Sequence, residues 1–186
     1  MSWRHVYLAD VPPTPWRNGG GVTRELAVWP EQGDWAWRMS VAEVDASGPF
    51  SAFPGVTRWF AVLQGAGVQL QIDGVSRSVH REDAPVAFDG AASTDCSLLN
   101  GSTQDFNLMV RTLHGSSSMQ RVHGLLGVRL NAPKIIAVYA VDSGASVQFE
   151  HEKLVIEAGT LVWRKIPANT TVRVESINAL WMEIAV

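Results

Sequence analysis

Arg58 sits in the run Val56-Thr57-Arg58-Trp59-Phe60-Ala61-Val62-Leu63, where a strand would turn it to the same face as Phe60 and Val62. A guanidinium on an apolar wall is a receptor for a carboxylate, which its planar fork grips through two charge-assisted hydrogen bonds. Residue types alone leave two arrangements open. Either Arg58 meets a small-molecule carboxylate, or it is neutralised by Glu25 or Glu43 of the same chain. More polar groups come from Trp16-Arg17-Asn18-Gly19-Gly20-Gly21-Val22-Thr23-Arg24-Glu25-Leu26, where three glycines feed a run that alternates like a strand. Glycine allows unusual dihedrals and close backbone approach, so this stretch reads either as the lip of a site or as a flexible turn before the first long strand. Asn107 and Arg111 share a strand face with Asp105 and Met109, a face polar enough to predict solvent exposure.

Other chemistries find little support. His5, His80, His114, His123 and His151 are scattered, without a pair at ligand spacing on one strand, so no metal site is expected. No nucleophile stands beside a base, and no Gly-x-x-x-x-Gly-Lys loop is present. Cys96 is alone and reads as a small buried residue. Lys and Arg number 15 against 18 Asp and Glu, a formal charge of −3 that gives no footprint for nucleic acid. The best apolar run, Ile135 to Val141, stops at Asp142, far short of a membrane span. The N-terminal residues carry no secretory signature, so a cytoplasmic address is expected.

The elements that must position these residues are strands. Val22 to Trp29 and Trp35 to Val44 both alternate around the turn Pro30 to Asp34, and together predict an antiparallel hairpin. In the simplest register Thr23, Glu25, Ala27 and Trp29 share a face with Trp35, Trp37, Met39, Val41 and Glu43. Further strands follow at Val56–Leu63, Val68–Ile72, Pro85–Phe88, Cys96–Leu99 and Phe106–Leu113, and Gly115-Ser116-Ser117-Ser118 is the best linker. After Pro133 the pattern restarts. Ala61-Val62-Leu63 corresponds to Ala137-Val138-Tyr139 and Pro85–Phe88 to Leu161–Arg164 at an offset of 76, and Asp105–Val110 to Ala179–Ile184 at 74. Near-constant offsets indicate two copies of one β unit, and an all-β chain of sandwiches or barrels.

The segment Trp16 to Leu26 closely resembles the Trp-[Lys/Arg]-Asn-Gly-Gly-Gly-x-Thr-x-Glu signature of the HutD/Ves family. Trp37-Arg38-Met39-Ser40-Val41-Ala42, Gly48-Pro49-Phe50-Ser51, Phe53-Pro54-Gly55-Val56-x-Arg58 and Asp105-Phe106-Asn107-Leu108-Met109-Val110-Arg111 resemble it too. The resemblance implies a bicupin, two cupin-like (RmlC-like jelly-roll) β-barrels in one chain, without metal or cofactor. The first barrel would span residues 1–115 and the second 116–186. It also implies binding of a small carboxylate of histidine catabolism, urocanate or formylglutamate, and a moderating role in histidine utilisation. Thr23 and Arg58 would hold the carboxylate, with Asn18 and the glycine backbone at Gly20 shaping the rim. The strand reading adds Trp37, Met39 and Phe60 as wall residues, and Asn107 completes the ligand set. The alternatives are a metal-independent isomerase or hydrolase using Glu25 or Glu43 as base, and a Ves-type stress-response protein. Strand edges that need covering favour a homodimer.

Overall fold

The computed structural model describes residues 2–186, and its regular structure is strand apart from two short 3-10 turns. It opens on β1 (Arg4–Tyr7), followed by β2 (Thr14–Pro15), β3 (Gly21–Trp29), β4 (Trp37–Val44), β5 (Gly48–Pro49) and β6 (Val56–Gln64). Then come β7 (Val68–Ile72), β8 (Val75–Val79), β9 (Val86–Asp89), β10 (Thr94–Leu98) and β11 (Thr103–Arg111). The chain closes with β12 (Ser117–Arg129), β13 (Lys134–Ala140), β14 (Ala145–Phe149), β15 (Glu152–Ile156), β16 (Thr160–Ile166) and β17 (Thr171–Ala185).

Two compact units result. Val11–His114 forms one, and Gly115–Val186 with the described part of the first ten residues forms the other. Those first residues depart from the expected division at residues 1–115. The β1 backbone pairs antiparallel with β16, Arg4 opposite Trp163 and Tyr7 opposite Thr160, so the strand belongs to the C-terminal unit. The segment read as a linker is also strand from Ser117. Its weak hydrophobic pattern hid β12, which pairs with β17 over nearly all its length and bulges between Val122 and Gly124.

Within Val11–His114 the sheet β2-β3-β4-β11-β6-β9 accompanies a second sheet, β5-β10-β7-β8. Phe60, Val62 and Val86 of the first share one apolar core with Val68, Leu70, Val79 and Cys96 of the second, so the sheets pack face to face. In the other unit a single sheet runs β1-β16-β13-β17-β14-β15, with β12 also on β17. There β17 pairs with β14 through its first half and β13 through its second. Val172 and Val174 meet Ala179 and Trp181 in one cluster, so this sheet curls around its own core. The order β4-β11-β6-β9 recurs as β12-β17-β13-β16, and β10-β7-β8 recurs as the first half of β17 followed by β14-β15. Register sharpens the repeat. Ala61 faces Phe106 and Ala137 faces Met182, so the closing strands differ by 76 residues, as the others do, and not by 74.

The hairpin β3–β4 departs from simple alternation. Thr23 lies opposite Ala42 and Glu25 opposite Ser40, but Ala27 lies opposite Met39, because Leu26 is an extra residue in a β-bulge. Before the bulge the faces are therefore exchanged relative to the expected register, and after it they agree. Gly21 marks a second local constraint: a Cβ there would overlap the Glu43 carbonyl oxygen. Gly19 has φ near +72° but open space around it. Gly21→Ala is therefore expected to cost about 3 kcal/mol, the upper end for overpacked sites. Gly19→Ala should cost only about 1 kcal/mol, from left-handed backbone strain. Chemical denaturation of both variants checks this, and equal losses would contradict the close-approach reading.

Candidate functional site

A cavity of about 470 Å³ opens over the inner face of the six-stranded sheet in Val11–His114, a size typical of small-molecule sites. Its floor follows from strand register. One row across the sheet carries Thr23, Ala42, Asp105 and Val62, and the next carries Glu25, Ser40, Asn107 and Phe60. A third carries Arg38, Met109 and Arg58. The rim comes from the β2–β3 loop, through Trp16, Arg17 and Asn18, and from the segment after β5, through Phe50, Ser51 and Phe53.

Arg58 is 6% exposed. Its Nη2 donates to Asn107 Oδ1 at 3.0 Å and its Nη1 reaches the Ser51 carbonyl at 3.5 Å, while Nε is buried without a partner. The guanidinium stacks near aromatic faces, 4.6 Å from the Phe50 ring centroid, 5.4 Å from Phe88 and 6.0 Å from Phe53. Cation–π attraction offsets part of the lost hydration. Neither Glu25 nor Glu43 neutralises it. Glu25 pairs with Arg38 at 3.1 Å and Glu43 with Arg24 at 3.1 Å. Burial, and then the positive charge of Arg38, pull the Arg58 pKa down from its ordinary value to about 10, which still leaves it a cation at neutral pH. A buried cation without a carboxylate is costly unless something completes it.

The rim is held by short-range bonds. Trp16 Nε1 donates to Thr23 Oγ1 at 2.7 Å, and the Gly20 amide donates to Asn18 Oδ1 at 3.0 Å. The Gly20 carbonyl accepts from the Asp45 and Ala46 amides. The glycines therefore serve the hairpin turn, and Gly20 does not line the cavity; its neighbours Trp16, Arg17 and Asn18 do.

Of the residues expected from sequence, Asn18, Thr23, Arg58, Phe60 and Asn107 come together on the cavity. Trp37 and Met39 do not. Opposite Val110 and Leu108 of β11 they lie on the other face of the sheet, where both are buried, and the bulge in β3 turns Thr23 away from them. Glu25 and Glu43 are likewise not cavity residues. Glu25 has the right strand parity but swings to Arg38, and Glu43 has the wrong parity. The face expected to be solvated is instead the floor, with Asp105 0% and Asn107 5% exposed.

The sequence reading passed over Arg38 and Asp105. Arg38 lines the cavity because β4 pairs with β11 without interruption, Arg38 opposite Met109 and Ser40 opposite Asn107, and the bulge on β3 brings Thr23 to that same face. Asp105 Oδ2 accepts from Thr103 Oγ1 at 2.8 Å, and Oδ1 is buried without a partner. Burial pushes its carboxyl up from 3.8 to about 7, against the opposing effect of the Thr103 bond. The only signal in the sequence was an aspartate alternating with Asn107 opposite the apolar Val62. Cys96, buried below, has its thiol pushed up to about 12 by burial and the nearby Asp105, so it remains protonated. Among the described residues, no group of three or more His, Cys, Asp or Glu side chains could hold a metal.

The sister unit shows what these positions look like when closed. At the 76-residue offset Arg58 corresponds to Lys134, Asn107 to Glu183 and Asp105 to Trp181. Lys134 forms an ion pair with Glu183, and the Trp181 indole donates to Glu183 at 2.9 Å within a filled core. In the N-terminal unit an amide replaces that glutamate and a small acid replaces that tryptophan, leaving a cation uncompensated beside open space.

Comparison with known proteins places the chain among bacterial relatives. A family model described as HutD matches residues 8–182. An uncharacterized 21.2 kDa protein from the hutC 3′ region of Pseudomonas putida is 36% identical over 141 residues, covering 74% of this chain and 73% of that one. Protein Ves of Cronobacter sakazakii is 36% identical over 105 residues, covering 56% of this chain and 58% of its own. The structure of HutD from Pseudomonas fluorescens (formate condition) aligns with TM-score 0.86 at 28% identity, covering 99% of this chain and 98% of that one. A cupin 2 conserved barrel domain protein from Leptotrichia buccalis aligns with TM-score 0.58 at 8% identity, a likeness of fold alone. No helix among the described residues is long and apolar enough to cross a membrane.

The raised Asp105 carboxyl makes a signed stability prediction. Its folded pKa of about 7 lies above its ordinary value of 3.8, so the folded state holds the proton more tightly. Stability is then fullest below about pH 4 and falls as pH rises to about 7. Asp105→Asn removes this slope while keeping an acceptor for Thr103. Its advantage over wild type should grow across that window to at most about 4 kcal/mol, read by denaturation at a series of pH values. A constant difference between the two proteins would contradict the assignment.

Proposed function

The chain belongs to the HutD family, and from that membership we propose that it binds a small carboxylate of histidine catabolism, urocanate or formylglutamate, and so moderates histidine utilisation. The observation that carries this reading is Arg58, a buried cation with no internal carboxylate and an unpartnered Nε, facing a cavity large enough for such an acid. The ligand carboxylate would take the role that Glu183 fills for Lys134. Thr23 and Asn18 stand at the rim, and Phe50 and Phe60 offer apolar surface for the rest of the molecule. The recurring strand order supports two cupin-like barrels, of which the first is adapted for binding and the second has its core filled.

Calorimetry with urocanate and formylglutamate tests this. Arg58→Ala should weaken binding at least about 30-fold, the lower range for truncating one partner of a buried charge pair. Asn107→Glu is the sharper variant, because it installs the sister unit's internal carboxylate. It should abolish binding while leaving the melting temperature unchanged or higher. Failure of both acids to bind wild type, or undiminished binding by Arg58→Ala, would overturn the proposal.

A further inference from the structure

The cavity holds a second group that carboxylate recognition by Arg58 leaves unused. Asp105 lies two residues before Asn107 on β11 and so on the same face, about 7 Å away by strand geometry. Arg58 reaches across from the far side of the floor to hydrogen-bond Asn107. A ligand carboxylate on the guanidinium therefore lies roughly one strand step from Asp105. The Asp105 side chain is fully buried, its Oδ2 is occupied by Thr103, and its Oδ1 lacks any partner. Oδ1 is thus a buried floor oxygen without a partner, and the sister unit fills this position with the Trp181 ring rather than with another polar group.

We propose, building on the carboxylate reading, that Asp105 is the cavity's specificity-determining group: protonated in the complex, it donates a hydrogen bond to a second oxygen of the ligand, so the site prefers dicarboxylates to monocarboxylates of equal length. An ionised Asp105 would repel the second oxygen; a neutral one completes it. The charged and titratable groups around Asp105 and its cavity are Arg58 on β6, Arg38 on β4 with its partner Glu25 on β3, Arg17 on the β2–β3 loop, and the Cys96 thiol on β10. Arg58 remains a cation, and Glu25 sits 3.1 Å from Arg38 in an ion pair. The thiol stays protonated through the neutral range. Burial lifts the Asp105 carboxyl to about 7, and an incoming dianion strengthens its hold on the proton. The proton comes from solvent, so binding above neutral pH takes up one proton per ligand. Between the two acids proposed above, the dicarboxylate formylglutamate is the better match.

The test is calorimetry of the full chain with glutarate and with pentanoate, which differ only in the second carboxylate. Urocanate and formylglutamate are titrated alongside. Glutarate should bind at least about tenfold more tightly than pentanoate near pH 6, and its affinity should fall about tenfold by pH 8, as required for a group titrating near 7. Asp105→Asn, a neutral donor of the same shape, should hold its affinity for glutarate constant across that range. Should the variant not fold, wild-type titrations in two buffers of different ionisation enthalpy still report the proton taken up. Equal binding of glutarate and pentanoate, a flat wild-type pH profile, or a slope retained by Asp105→Asn would overturn the inference. If urocanate or formylglutamate binds while glutarate does not, the inference falls and the carboxylate reading stands; if none of the four binds, both fall.

Discussion

A guanidinium held away from water without a carboxylate beside it is the constraint around which the N-terminal unit is organised. Desolvating such a charge costs several kcal/mol even after relaxation. The Asn107 amide oxygen, the Ser51 carbonyl and the Phe50, Phe53 and Phe88 rings offset part of that cost around Arg58. None of them is an anion. The C-terminal unit meets the same topological position with Lys134 and closes it internally through Glu183. One strand plan thus gives two outcomes, a satisfied, partly exposed ion pair beside a packed core and an unsatisfied cation beside a cavity.

The surrounding elements keep that cation exposed to the cavity and little else. Pairing with β11 turns Arg38, Ser40 and Ala42 inward, and the bulge at Leu26 turns Thr23 to the same face while Glu25 is drawn to Arg38. The one floor carboxylate that could have neutralised Arg58, Asp105, is held by Thr103 and favours its proton. The Trp16–Thr23 bond ties the glycine hairpin down at the rim. Gly21 lets β3 approach the Glu43 carbonyl closely enough for this arrangement.

Much of this was legible in the sequence where strands alternate without interruption. The parity of Arg58 with Phe60 and Val62 on β6, and of Asn107 with Asp105 and Met109 on β11, is the parity observed. The all-β class, the internal repeat and the family signature were legible as well. What failed did so for physical reasons. A single bulged residue on β3 reverses the face of Thr23 and Glu25 before it, so they share the cavity face with Arg38, Ser40 and Ala42 and not with Trp37 and Met39. Asp105 looked like a solvated polar residue because alternation does not reveal what covers a sheet. The β1 strand joined the C-terminal unit through pairing with β16 that local pattern cannot encode. Gly20 was marked for the rim, but its amide and carbonyl are taken by the turn it helps to make.

The most direct test of the account is a crystal structure of the protein soaked with formylglutamate. The account requires ligand carboxylate oxygens within hydrogen-bonding distance of the Arg58 guanidinium, with the apolar part of the molecule against Phe50 or Phe60. An empty cavity at saturating acid, or a ligand bound elsewhere with Arg58 unchanged, would contradict it.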